Sequence, residues 1–121
     1  MGVRQFTIAH MHRYQRKIHK LETGIAEVHE HQEKGEIISA KRVYNRKLCY
    51  AYAETRVLLK DRFNFFLKEN KPDLAKEELA RVRKAFEQFF EIGESFDVDL
   101  SEQRRDSASM LENIENTFKD L

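Results

Sequence analysis

The side chains that could do chemistry crowd the first third of the chain. Five histidines, His10, His12, His19, His29 and His31, all fall there. Zinc ligands on one helix need spacings of three or four residues to share a face. His10 and His12 are two apart, as are His29 and His31. A step of two turns about 200° around a helix. His12 and His19 share a heptad position but stand two turns apart. The spacing predicts solvated surface histidines and no metal site within one chain, although two chains could share one. Glu87, Glu91 and Glu94 form a carboxylate row at helical spacing. A di-metal bundle site would also need Glu-x-x-His pairs, and Glu27-Val28-His29-Glu30 misses that order. The row reads as an acidic solvated face.

Other reaction types lack their signatures. There is no glycine-rich phosphate loop, no serine nucleophile elbow and no Cys–His pair. Cys49 is the only cysteine, which excludes an intramolecular disulfide and fits a reducing compartment such as the cytoplasm. It is expected to pack as a small apolar residue. No cofactor, metal, small-molecule substrate or catalysis is expected of this chain. No apolar run approaches the roughly 20 residues that cross a bilayer, so no membrane is expected as partner.

One short stretch is suggestive. His19-Lys20-Leu21-Glu22-Thr23-Gly24 resembles the H-box of sensor histidine kinases, matching it at His, Leu and Thr. That resemblance implies a phosphoaccepting His19 on an exposed face of a helical hairpin. Neutral imidazole is nucleophilic near neutral pH. The departures touch the chemistry: Lys20 stands where an acid would assist the imidazole, Glu22 replaces a basic residue and Gly24 replaces proline. With no ATP-binding signature in the sequence, the implied role is phosphotransfer from a receiver domain, one alternative reading of the chain.

Basic residues give another alternative. Arg13, Arg16, Lys17 and Lys20 crowd one segment, and Lys41, Arg42, Arg46 and Lys47 another. A basic helical face can bind phosphate backbones. Glu22, Glu27 and Glu30 dilute the first cluster, the sequence pI is only about 7.9, and no nucleic-acid-binding motif is present. Net charge is +1, but its distribution is uneven. Residues 1–62 hold 13 Lys/Arg against 7 Asp/Glu, and residues 63–121 hold 9 against 14. The basic half and the acidic half should attract each other.

These residues ride on helices. Charged residues make up 36% of the chain, with one proline and four glycines, a mixture rich in helix formers. Met11, Tyr14, Ile18, Leu21, Ile25 and Val28 alternate steps of three and four, which predicts one apolar stripe on a helix from about residue 4 to 33. Lys34-Gly35 stops it. A second helix is expected from about 37 to 69. Its inner face gathers Ile37, Ala40, Tyr44, Leu48, Ala51, Thr55, Leu58, Leu59, Phe63 and Phe66. Val43, Tyr50, Ala53 and Val57 form a second stripe well round the cylinder. Asn70-Lys71-Pro72-Asp73 is punctuation, with Pro72 suited to the first position of a new helix. The third helix carries Ala75, Leu79, Val82, Phe86, Phe89, Phe90 and Phe96. A turn is expected across 95–99, with Asp99 and Glu102 as a capping box. A last helix then runs to about Lys119, anchored by Leu111, Ile114, Phe118 and Leu121, although its first half is almost wholly polar.

Short connections make neighbours antiparallel. The expectation is an all-α, antiparallel up-down bundle: three long helices plus a shorter C-terminal helix, in one domain over 1–121. Folding back at Pro72 should set Tyr52 against Phe89. A peripheral bundle helix needs one apolar face, and the second helix has two. Its spare stripe therefore predicts contact with another protein or a second copy. Val43, Tyr50 and Val57 are the expected contact residues, with Arg42 and Arg46 on the rim. The chain reads as an interaction module: an adaptor, regulator, inhibitor or chaperone.

Overall fold

The computed structural model describes the backbone of residues 2–119 and the side chains of Ala9 and residues 11–119. The His10 side chain and Leu121, expected as the last anchor, lie outside the described residues. Helix α1 spans Gly2–Glu33, α2 Ile37–Val43, a π-helical segment Tyr44–Leu48, α3 Cys49–Lys68, α4 Pro72–Ser95 and α5 Ser101–Phe118. No strand occurs among the described residues. The second helix foreseen over 37–69 is thus one continuous rod made of α2, the π segment and α3. The π turn closes with the Cys49 N–H donating to the Tyr44 carbonyl, one residue further back than an α turn.

The first stripe is the spine of the core. Met11, Tyr14, Ile18, Leu21, Ile25 and Val28 are all buried. On the second rod Ala40, Tyr44, Leu48, Ala51, Thr55, Leu58, Leu59, Phe63 and Phe66 are buried as the spacing predicts, and Tyr52 joins them. Ile37, expected on the inner face, is exposed at the rod's tip. Buried Thr55 donates its hydroxyl to the Ala51 carbonyl one turn earlier at 2.7 Å, so its polarity is satisfied inside the rod.

Three helices end by one device. After α1 the Gly35 N–H donates to the Gln32 carbonyl and the Glu36 N–H to that of His31. After α3 the pair is Asn70 to Leu67 and Lys71 to Phe66, and after α4 it is Asp97 to Glu94 and Val98 to Gly93. These are Schellman closures, which place one residue in the left-handed region. Gly35 (φ 73°), Asn70 (φ 53°) and Asp97 (φ 63°) hold those places. Pro72 sits in the first turn of α4, with Asp73 beside it.

Contacts fix the directions. Glu27 meets Lys47, Lys17 lies over Tyr50 and Arg13 meets Glu54, so α1 and the second rod run antiparallel. Tyr44 packs on Phe96 and Tyr52 stacks on Phe89 with ring centroids 4.4 Å apart, so α4 runs back along that rod. Arg104 reaches Glu94 and Glu115 reaches Arg83, which turns α5 around again. The fourth helix does not complete a square. Among the described residues α5 touches α4 and α3 but not α1. The bundle is two triangles sharing the α3–α4 edge, with α1 on one side and α5 on the other.

Helix α5 docks through buried Leu111 and Phe118, with Ile114 packed on the core, and its first half through polar groups. Buried Ser107 shares a 2.6 Å hydrogen bond with the Tyr52 hydroxyl. Arg104 donates to both oxygens of Glu94 and to Glu87, and its guanidinium lies 5.0 Å from the Phe90 ring centroid. The expected capping box is not formed. Asp99 accepts from the backbone N–H and the hydroxyl of Ser101, one residue ahead of the helix cap, and Glu102 does not reach back.

Candidate protein-binding face

The π segment decides what the second rod shows to solvent. Seven residues in an α-helix return nearly to the same azimuth. Val43 and Tyr50 should then share a face, as the sequence pattern expected. The wider turn between them inserts one extra residue and rotates everything beyond it. Val43 accordingly turns inward, half-buried and packed on the core. Tyr50 and Val57 lie beyond the insertion and stay in register. Tyr50 is 56% exposed and Val57 76% exposed. Arg42 and Arg46 are exposed and form no ion pair among the described residues. The structure thus keeps four of the five expected contact residues on the surface and gives Val43 to the core.

Neither flanking helix covers Tyr50 or Val57. From α1, Lys17 lies with its ammonium 4.8 Å from the Tyr50 ring centroid, a cation–π contact that leaves the ring open. From the other side, α5 leans toward α4 and leaves a groove against α3. Two connected cavities form it, of about 790 and about 550 Å³, sharing Arg56, Lys60 and Met110 as walls. The upper one is lined by Asn45, Cys49, Ala53, Val57 and Val98 over a floor of Tyr52 and Phe89. The lower one runs past Ile114 to Phe63 and Phe118. Arg56 reaches across to Asp106 at 3.8 Å. A long-range exposed pair of this kind contributes little to stability.

Burial pushes the Cys49 thiol above its ordinary value, with the Tyr44 hydroxyl acting the other way. It therefore stays protonated near neutral pH and is a poor nucleophile. Burial likewise raises the Tyr44 hydroxyl, with the Cys49 thiol adding to it. His12, His19 and His29 are exposed, and His31 contacts Glu36 at 3.2 Å. No group of three or more His, Cys, Asp or Glu side chains able to hold a metal occurs among the described residues. Glu87 and Glu94 are spent on Arg104, so the acidic row is part of a helix clamp. Arg104 had no place in the sequence reading because a single arginine in a polar stretch leaves no periodic trace.

His19 has no hydrogen-bond partner among the described residues. Glu22, one turn further along α1, is held by Arg81 through two bonds of 2.6 and 2.9 Å. The basic clusters are also partly spent. Arg13 pairs with Glu54 and Lys47 with Glu27, both inside the basic half of the sequence. Arg62–Glu78 and Arg81–Glu22 join the two halves. No helix is long and apolar enough to cross a membrane among the described residues. Comparison with protein families, with curated proteins and with solved structures gives no match to this chain.

Proposed function

We propose that this chain is a helical-bundle protein–protein interaction module, an adaptor, regulator, inhibitor or chaperone without catalysis of its own. One observation carries the reading. Tyr50 and Val57, large apolar side chains two turns apart on the central rod, remain open to solvent after every helix of the bundle has docked. Isolated exposed apolar residues are ordinary, but here Val57 lines an apolar groove, which is the signature of a contact surface. Arg42 and Arg46 supply a charged rim of the kind that surrounds such contacts. The partner is another protein, and a second copy is the simplest case to test. The cytoplasm suits a chain whose sole cysteine is a protonated thiol.

The test compares retained proteins. The wild type and a Tyr50→Ala/Val57→Glu double variant are immobilised and challenged with lysate of the source cells. Both substituted side chains are exposed, so circular dichroism and the urea midpoint should not change. The expected result is a set of proteins held by the wild type and lost by the variant. Identical sets would overturn the reading. Sedimentation velocity on the same pair shows whether the lost partner is the chain itself. Retention on heparin at low salt, unchanged by the double variant, would favour the nucleic-acid alternative instead.

A further inference from the structure

The groove between α3 and α5 has the shape and charge of a seat for one more helix. We propose that it binds an amphipathic helix of a partner protein whose apolar face is flanked by Asp or Glu. The inference rests on reading the chain as an interaction module and names the partner's chemistry. Two apolar ridges border the groove. Ala53 and Val57, four apart, line the α3 side, and Met110 and Ile114, four apart, line the α5 side. Residues four apart stand one above the other on a helix, so each pair makes a ridge into which another helix can set its own side chains. Helix α5 is 18 residues long, which gives the groove a wall of roughly 27 Å.

Charge selects the occupant. The groove walls hold Arg56 and Lys60 against one carboxylate, Asp106. Asp106 is already engaged by Arg56, and Lys60 forms no ion pair among the described residues. A second copy docking symmetrically through this groove would bring the basic wall against itself, because a two-fold interface juxtaposes the same patch of both chains. Like charges so placed are costly, whereas carboxylates on a foreign helix are steered in and held. The mode is helix-in-groove recognition, with apolar anchors for affinity and flanking charge for selection.

Two synthetic peptides of about 18 residues test it. Both carry leucine at i, i+4, i+7 and i+11, one with glutamate flanks and the other with lysine flanks. Each is titrated into the isotope-labelled full chain and followed by amide shifts. The glutamate peptide should bind with micromolar affinity, move the amides of Val57, Met110 and Ile114, and weaken with salt. The lysine peptide and the Val57→Glu variant should each bind about tenfold more weakly, equivalent to about 1.4 kcal/mol. Equal binding of both peptides, no binding, or shifts centred on another face each overturn the groove assignment. Shifts centred on another face would do so while leaving an interaction module in place. Failure of the capture experiment with Tyr50→Ala/Val57→Glu removes that wider reading independently.

Discussion

The Tyr52 hydroxyl on α3 and the Ser107 hydroxyl on α5 share a hydrogen bond of 2.6 Å where water does not reach. Tyr52 is also the hub of the aromatic core, against Phe86, Phe89 and Phe90. One side chain thereby joins α4 by stacking and α5 by a polar bond. Removing either hydroxyl strands the other in a dry site. Tyr52→Phe and Ser107→Ala should each cost about 1 to 3 kcal/mol. Ser107→Ala should also speed amide exchange in α5 before the rest of the bundle, since that helix has lost a buried tie. Denaturant unfolding and hydrogen exchange measure the two effects, and the double variant should cost less than the sum of the singles.

A second buried tyrosine predicts the opposite sign. Tyr14 on α1 is fully buried, and among the described residues no hydrogen bond of good geometry reaches its hydroxyl, although the Glu78 carboxylate lies near enough to act on it. Arg62 Nε and Glu78 Oε1 nearby face each other as an ion pair at 3.9 Å, too long for a hydrogen bond, and neither atom makes one among the described residues. Burial, and after it the charge and hydrogen-bonding reach of the Glu78 carboxylate, raise the Tyr14 hydroxyl far above its ordinary value. Tyr14→Phe removes a poorly matched polar atom and keeps the ring under Arg62. It should leave the urea midpoint unchanged or raise it, by up to about 1 kcal/mol. A loss of 2 kcal/mol or more would mean that the hydroxyl is bonded in solution.

The contrast marks what the sequence could and could not disclose. Apolar periodicity exposes any face that docks through grease, so the α1 stripe and the Tyr52–Phe89 contact were legible. Chain ends were legible because Gly35, Asn70 and Pro72 each suit one backbone geometry. The C-terminal half of α5 was legible too, since Leu111 and Phe118 are buried and Ile114 packs on the core, but its first half docks through Ser107 and Arg104, which no hydrophobic pattern records. The π segment was written more faintly. Ala40, Tyr44, Leu48 and Tyr52 advance in three steps of four, which in an α-helix would drift about 120° around the axis. The wide turn at Tyr44–Leu48 absorbs that drift and keeps all four inside, at the expense of placing Val43 and Tyr50 on different faces. The groove had no linear trace, since it depends on how α5 leans across two other helices.

Asp97 offers a stabilising change. It holds the left-handed place of the α4 closure at φ 63° and is exposed. An L-residue is strained there, while glycine is not, as Gly35 illustrates after α1. Asp97→Gly should raise stability by about 0.5 to 1 kcal/mol, read as a higher melting temperature. Asp97→Val, branched at Cβ, should lower it.

Two helical glycines should respond differently to the same substitution. A Cβ at Gly24 would meet Leu48 Cδ2 at 2.5 Å, the free end of a flexible side chain. A Cβ at Gly93 would run into Leu100 and into the Tyr44 hydroxyl, at 2.6 Å from the latter. That ring cannot step aside, being packed between Phe89 and Phe96 at 5.6 and 5.7 Å. Alanine in place of a helical glycine gains about 1 kcal/mol of helix propensity. Gly24→Ala should come out near neutral as that gain offsets the shift of Leu48. Gly93→Ala should lose about 1 to 2 kcal/mol net, because overpacking a rigid site costs more. Equal effects in urea unfolding would refute the difference assigned to the Tyr44 ring.

The Glu22–Arg81 pair gives the bundle an acid limb. The bidentate bond from Arg81 holds the Glu22 carboxyl below its ordinary value. Its folded-state value therefore lies under its unfolded one. The stabilisation is complete above the unfolded carboxylate value of about 4.3 and is lost as pH falls through the lower folded value. Arg81 is pushed further up by the same bond and stays charged throughout, so it adds no step of its own. Both side chains are 36% exposed, and salt screening will soften the effect. Glu22→Gln should melt below the wild type at pH 6, and the gap should narrow steadily between pH 4.5 and pH 3, the range about that carboxylate value. A gap of constant size across that range would mean that the carboxylate's charge contributes nothing to holding α1 against α4.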